Sequence, residues 1–225
     1  MDRPEPELGS NPLPKKISNE NGFRLTQCDG GWILTLAAQD GMNRLTRSKM
    51  NALRECLCEI SESNSTLPLI IAGEPIFSAG ADLNEINQLT VPDALGFAYE
   101  GQRLMNLIAN FPAPVFAAIR GFCFGGGLDL ALACHRRIAT PNAVFGHRGA
   151  ALGLITGWGG TQRLPRLIGK GHALQMFVEA EKVDAGKALR IGLIDAISND
   201  PVCACLNCAL QSQPSSIAGV VPEIG

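Results

Sequence analysis

Apolar runs short enough to be strands alternate with stretches whose apolar residues recur at helical spacing, and that alternation restricts what the chain can fold into. FRLTQCDGGWILTLAA reads as two strands about Asp29-Gly30-Gly31, a hairpin signal. LPLIIAG and APVFAAIRG are continuous apolar runs with β-branched residues, the pattern of strands buried on both faces. RRIAT and LIDAI read as further short strands. Between them, TRSKMNALRECLCEI carries Met50, Leu53, Leu57 and Ile60 at the spacing of one helix face. PDALGFAYEGQRLMNLIANF, LDLALACH, GHALQMFVEA and DAGKALRIG also read as helices, and GGTQRLPRLIG as a helix broken near Pro165. Strands alternating with helices predict an α/β domain with parallel strands covered by helices.

Composition agrees with a folded domain of that kind. Of 225 residues, 46% are apolar and 18% charged, enough to bury a sizeable core. The organisation expected is a flexible polar, proline-rich arm over 1–20, a core domain over 21–200, and a helical segment with a tail over 201–225. Net charge is −2, with no basic stripe to suit nucleic acid and no polybasic run to suit an anionic membrane. The N-terminal residues lack the apolar stretch of a signal peptide, so a cytoplasmic protein with reduced thiols is expected. Cys203, Cys205 and Cys208 stand as C-x-C-x-x-C, with no second pair or nearby histidine to complete a zinc site. A cysteine-rich helix is the expectation there, and no metal.

Two strand-to-helix turns carry the chemistry. IIAGEPIFSAGADLNEI (70–86) and AAIRGFCFGGGLDL (117–130) each leave a buried strand, pass small residues and enter a helix. Ligands of α/β sheets bind beyond the carboxyl ends of strands. The first N–H groups of a helix have no intrahelical partner, and two of them aimed at one point would stabilise an oxyanion. Neither G-x-x-x-x-G-K-[ST] nor G-x-G-x-x-G occurs, so these are not standard nucleotide loops. Tight turns with close helix packing would also call for such glycines. Asp129, two residues past the triplet, suits catalysis or a helix first turn, where the macrodipole favours an acid.

In these segments the chain resembles the enoyl-CoA hydratase/isomerase, or crotonase, superfamily over about 22–198. IFSAGADLNEI is similar to its first oxyanion and CoA-binding loop, and PVFAAIRGFCFGGGLDLALACHRRIAT to its signature segment. FGHRGAALGLITGWGGTQRLPRLIGKGHAL and AGKALRIGLIDAI follow in the family order. The resemblance implies a spiral of β-β-α units of the ClpP/crotonase type, a homotrimer or hexamer, and an acyl-CoA thioester as substrate. It implies no cofactor beyond that coenzyme A. The backbone N–H groups of Ala81 and Gly126 would hold the thioester oxygen. Met42, Ala79, Gly80, Ala81, Asp82, Leu83, Gly125 and Gly126 would form the CoA and substrate loops. Family members normally continue through further helices at the subunit interface.

The family's hydratases hold a water between two carboxylates. One matches Asp129, and the position of the other is Gly149, so one acid is missing. His147 and Arg148 lie immediately before it. His147 suits a base or a strand-end residue bonded to backbone. Arg148 suits an ion pair with Asp129, a CoA phosphate, or solvent. The resemblance implies an enoyl-CoA hydratase, converting a 2-trans-enoyl thioester to a 3-hydroxyacyl thioester. A one-carboxylate enoyl-CoA isomerase and a non-catalytic CoA-binding protein are the alternatives.

Overall fold

A computed structural model describes residues 21–63 and 66–211. The N-terminal arm over 1–20 and the tail from 212 onward lie outside the described residues. Phe23–Cys28 (β1) and Gly31–Leu36 (β2) form the antiparallel hairpin expected at Asp29-Gly30, with Cys28 opposite Gly31. Arg47–Glu62 (α1) starts where the Thr46 hydroxyl accepts the Lys49 N–H, and it buries Met50, Leu53, Leu57 and Ile60. Leu69–Gly73 (β3) follows, then Leu83–Asn87 (α2) and Val91–Ala109 (α3). Thr90 and Asp93 close a capping box at the start of α3.

Val115–Ile119 (β4), Phe122–Phe124 (β5), Gly126–Ala133 (α4), Arg136–Ala139 (β6) and Val144–Gly146 (β7) come next. After a 3-10 turn over Arg148–Leu152 come Gly160–Ile168 (α5) and Lys170–Val178 (α6). Val183–Asp184 (β8), Ala185–Arg190 (α7), Ala196–Ile197 (β9) and Pro201–Gln211 (α8) complete the described chain.

A six-stranded sheet runs β1-β2-β3-β4-β6-β9 and is parallel except for the β1–β2 hairpin. Strands β3 and β4 alternate between two cores, as a period of two requires. Leu69, Ile71, Val115, Ala117 and Ile119 enter the main core with Leu53, Leu57, Leu104 and Leu130. Ile70, Ala72, Phe116 and Ala118 enter a smaller core closed by Cys205 and Ala209 of α8. Continuous apolar runs follow from this two-sided burial. The cysteine spacing places Cys205 against the sheet while Cys203 faces solvent.

A second sheet, β5-β7-β8, pairs β5 with β7 in parallel and β7 with β8 antiparallel. Its strands of two or three residues are too short to show a period in sequence, which is why 122–124 reads there only as loop. The break expected near Pro165 does not occur, and α5 continues to Ile168. Pro165 forfeits one backbone bond, while buried Leu164 and Ile168 hold the turn around it.

Trp158 is the wedge between α3 and α4. Its indole lies against Phe97, with ring centroids 5.3 Å apart, and is 4% exposed. A Cβ at Gly101 of α3 would lie 2.2 Å from its ring atoms, and one at Gly126 of α4 also 2.2 Å. Gly101→Ala tests this packing with a sign that two effects contest. Alanine gains about 1 kcal/mol of helix propensity, but overlap with a rigid buried ring costs about 1–3 kcal/mol. The overlap wins, so urea unfolding should show a net loss of stability.

Candidate active site

The two glycine loops meet side by side. Phe77 and Ser78 pair along β5: Phe77 N–H donates to Arg120 O, Ser78 N–H to Phe122 O, and Phe124 N–H to Ser78 O. Gly80 has φ +97°, and a Cβ there would lie 2.6 Å from Phe124 O and 3.0 Å from Gly126 N. Glycine is required both by that backbone conformation and by the contact.

Most backbone donors of the two loops are engaged. Ala79 N–H donates to Met42 O, Gly80 N–H to Ser78 Oγ, and Asp82 N–H to Leu45 O. In the second loop, Phe124 N–H goes to Ser78 O and Gly125 N–H to Gly146 O. The N–H groups of Ala81 and Gly126 have no acceptor among the described residues, and both residues line one cavity of about 290 Å³.

The three glycines of the triplet serve separate ends. Gly125 carries φ +51°, Gly126 leaves room for the Trp158 ring, and Gly127 packs on Ser78, whose Cβ would be 2.7 Å from an added methyl. Close packing accounts for two of them.

Two polar residues passed over in sequence hold the first loop. Asn43 is fully buried at φ +50°, donates to Leu36 O, Glu74 O and Ile76 O, and accepts from Ala38 N–H. Ser78 is equally buried, and its hydroxyl donates to Asn43 O. Only the tolerance of Asn for positive φ offered a hint.

Of the expected CoA-loop residues, Ala79, Ala81, Leu83, Gly125 and Gly126 line the cavity. Gly80 lies behind Gly126. Met42 supports the loop through its carbonyl, and Asp82 instead caps α2, accepting from Asn84 and Glu85 N–H. The remaining wall is largely apolar, with Phe97, Leu154, Ile155, Trp158 and Phe177.

Asp129, in the first turn of α4, is 1% exposed and opens onto this cavity. It is the one carboxylate on the wall among the described residues. Burial raises it to about 7, against the opposing pull of the Thr156 hydroxyl, the Trp158 backbone N–H and the Arg163 charge. Thr156 Oγ1 donates to Asp129 Oδ2. Oδ1 has no hydrogen-bond partner among the described residues and lies 3.7 Å from His147 Nε2.

His147 follows β7, is 4% exposed and packs against the Phe177 ring at a tilt. Burial pushes it down to about 4. Neither ring nitrogen has a hydrogen-bond partner among the described residues, so it is not the strand-end histidine bonded to backbone. Arg148 does not pair with Asp129. Its guanidinium donates to Ala180 O at 2.9 Å. Gly149 also faces the cavity, and its carbonyl accepts the Leu154 N–H. His135 is structural, its Nδ1 accepting the Val115 N–H.

A mostly parallel sheet, paired glycine loops and an acid between them are the marks of one family. The chain belongs to the enoyl-CoA hydratase/isomerase family of the crotonase superfamily, whose model matches residues 32–206. It is 37% identical over 167 residues to a crotonyl-CoA hydratase of Syntrophomonas wolfei, covering 73% of this chain and 64% of that protein. The chain thus spans somewhat less than two thirds of that relative. Among solved structures, Pseudomonas aeruginosa DspI superposes with a TM-score of 0.80 at 31% identity, over 91% of this chain and 77% of its own. An enoyl-CoA hydratase from Bacillus anthracis superposes with a TM-score of 0.76 at 30% identity, over 84% and 74%. These relatives share the crotonase-like α/β fold. No helix among the described residues is long and apolar enough to cross a membrane.

The buried acid has a consequence for stability. Its folded pKa is raised above the unfolded value of 3.8 to about 7. The native state therefore holds a proton that the unfolded state releases, and the contribution of Asp129 to stability falls as pH rises from about 4 to about 7. Asp129→Asn removes that slope. Chemical denaturation at pH 8 should find the variant more stable, by up to a few kcal/mol, and the two proteins nearly equal below pH 4.

Proposed function

We propose that the protein is an enoyl-CoA hydratase, adding water across the C2–C3 double bond of a 2-trans-enoyl thioester. The observation that carries this reading is a protonatable, buried Asp129 opening onto the same cavity as the unengaged N–H groups of Ala81 and Gly126. The thioester oxygen accepts from those two N–H groups. As water attacks C3, negative charge moves to that oxygen, where preorganised donors in an apolar site act most strongly. Asp129 delivers a proton to C2. An acid poised near neutrality suits the role, since general acid–base help is greatest when the pKa lies near the working pH. The reading needs no cofactor beyond the coenzyme A of the substrate.

One observation favours a second reading. Gly149 brings no side chain to the cavity, leaving Asp129 the sole carboxylate on the wall among the described residues. A single acid suffices for an enoyl-CoA isomerase, which moves a proton between C2 and C4.

Mass spectrometry of crotonyl-CoA incubated with the protein in deuterated water separates the readings. Gain of a whole water is the expected result. Deuterium gained without hydration would establish the isomerase, and binding without either would leave a CoA-binding protein. Asp129→Asn should keep CoA binding and lower kcat by about 10²- to 10⁴-fold. In the parent protein kcat should decline as pH rises through about 7, where Asp129 gives up its proton.

A further inference from the structure

The hydration step needs two proton-handling groups, and Asp129 is only one of them. Water must lose a proton as it attacks C3, while C2 must gain one. A second group has to face the same space, be able to accept a proton, and not already be engaged.

Among the described residues His147 meets all three conditions. It lines the cavity, its Nε2 stands 3.7 Å from Asp129 Oδ1, and neither ring nitrogen has a hydrogen-bond partner. Its alternative duties are excluded by contacts. The neighbouring Arg148 turns away to Ala180 O, and the Phe177 ring packs against the imidazole, 4.9 Å between centroids. A separation of 3.7 Å is too long for a direct hydrogen bond. That spacing fits one oxygen bonding both atoms at about 2.8 Å from each, although both atoms are closed to solvent in the structure. A buried polar atom without a partner is costly. The water that reacts relieves two such atoms when it binds.

We propose that His147 is the general base of the hydration, taking the proton of the water that adds to C3. The inference rests on the hydratase reading and names the group that stands in for a second carboxylate. A water O–H bond breaks and its proton goes to His147 Nε2, while the water oxygen forms the bond to C3. The C2–C3 π pair moves through C2 to the thioester oxygen, held by Ala81 and Gly126. The enolate then collapses and C2 takes the proton of Asp129. Transfer of the proton from His147 back to Asp129 restores both groups. Burial favours the starting state, since it opposes charge on the imidazole and on the carboxyl alike. The pair therefore begins as a neutral base beside a neutral acid.

The test uses the full chain with crotonyl-CoA, comparing the parent with His147→Gln and His147→Ala. Glutamine still reaches the water but cannot take a proton from it. Expected are a loss of kcat of at least about 100-fold in His147→Gln with KM within about threefold, and recovery of His147→Ala by added imidazole. A His147→Gln kcat within threefold of the parent would overturn the role. So would a folded His147→Ala protein that imidazole does not restore, which would make the ring a packing element. Should His147→Ala fail to fold, His147→Gln decides alone. The parent reports separately: if it adds no water to crotonyl-CoA, the hydratase reading falls and this role falls with it.

Discussion

Position 80 has no side chain, and the site depends on that. A methyl there would stand 2.6 Å from the Phe124 carbonyl and 3.0 Å from the Gly126 nitrogen. It would push the two glycine loops apart. With them apart, the Ala81 and Gly126 N–H groups would no longer address one point. Everything behind the contact serves to keep it. Ser78 stitches the first loop to β5, Asn43 ties it to the ends of β2 and β3, and Gly127 lets α4 lie on Ser78.

Burial does the electrostatic work, and it acts on two groups in opposite senses. An apolar wall raises the Asp129 carboxyl to about 7 and pushes the His147 imidazole down to about 4. Both are neutral near pH 5–7, which is the cheapest state for ionisable groups in a low-dielectric setting. Thr156 and the Trp158 backbone moderate the shift at Asp129 without cancelling it. The same Trp158 ring spaces α3 from α4 through two glycines, Gly101 and Gly126. Packing and acidity at the site therefore share a residue.

Most of the framework was legible in the chain. Continuous apolar runs at β3 and β4, helical spacing in α1 and the Asp29-Gly30-Gly31 turn all appear where their patterns place them, because each is a local periodicity answering to burial. The errors have two causes. Strands β5, β7 and β8 have two or three residues, too few to show a period, and exist only through pairing with one another. Pro165 reads as a helix breaker, but buried neighbours on both sides override a local propensity.

By itself the sequence determined the α/β class, the two glycine loops and Asp129 as the acid between them. These follow from residue types whose constraints are local, namely apolar period, glycine freedom and an acid in a helix first turn. Only the tertiary structure decided the rest. It alone brought Ala81 and Gly126 to one cavity and turned Arg148 away to Ala180. It alone set His147 at 3.7 Å from a carboxyl eighteen positions earlier in the chain. The physical reason is that a distance between side chains on different elements, and the burial that sets their charge, are properties of packing. No local pattern encodes them.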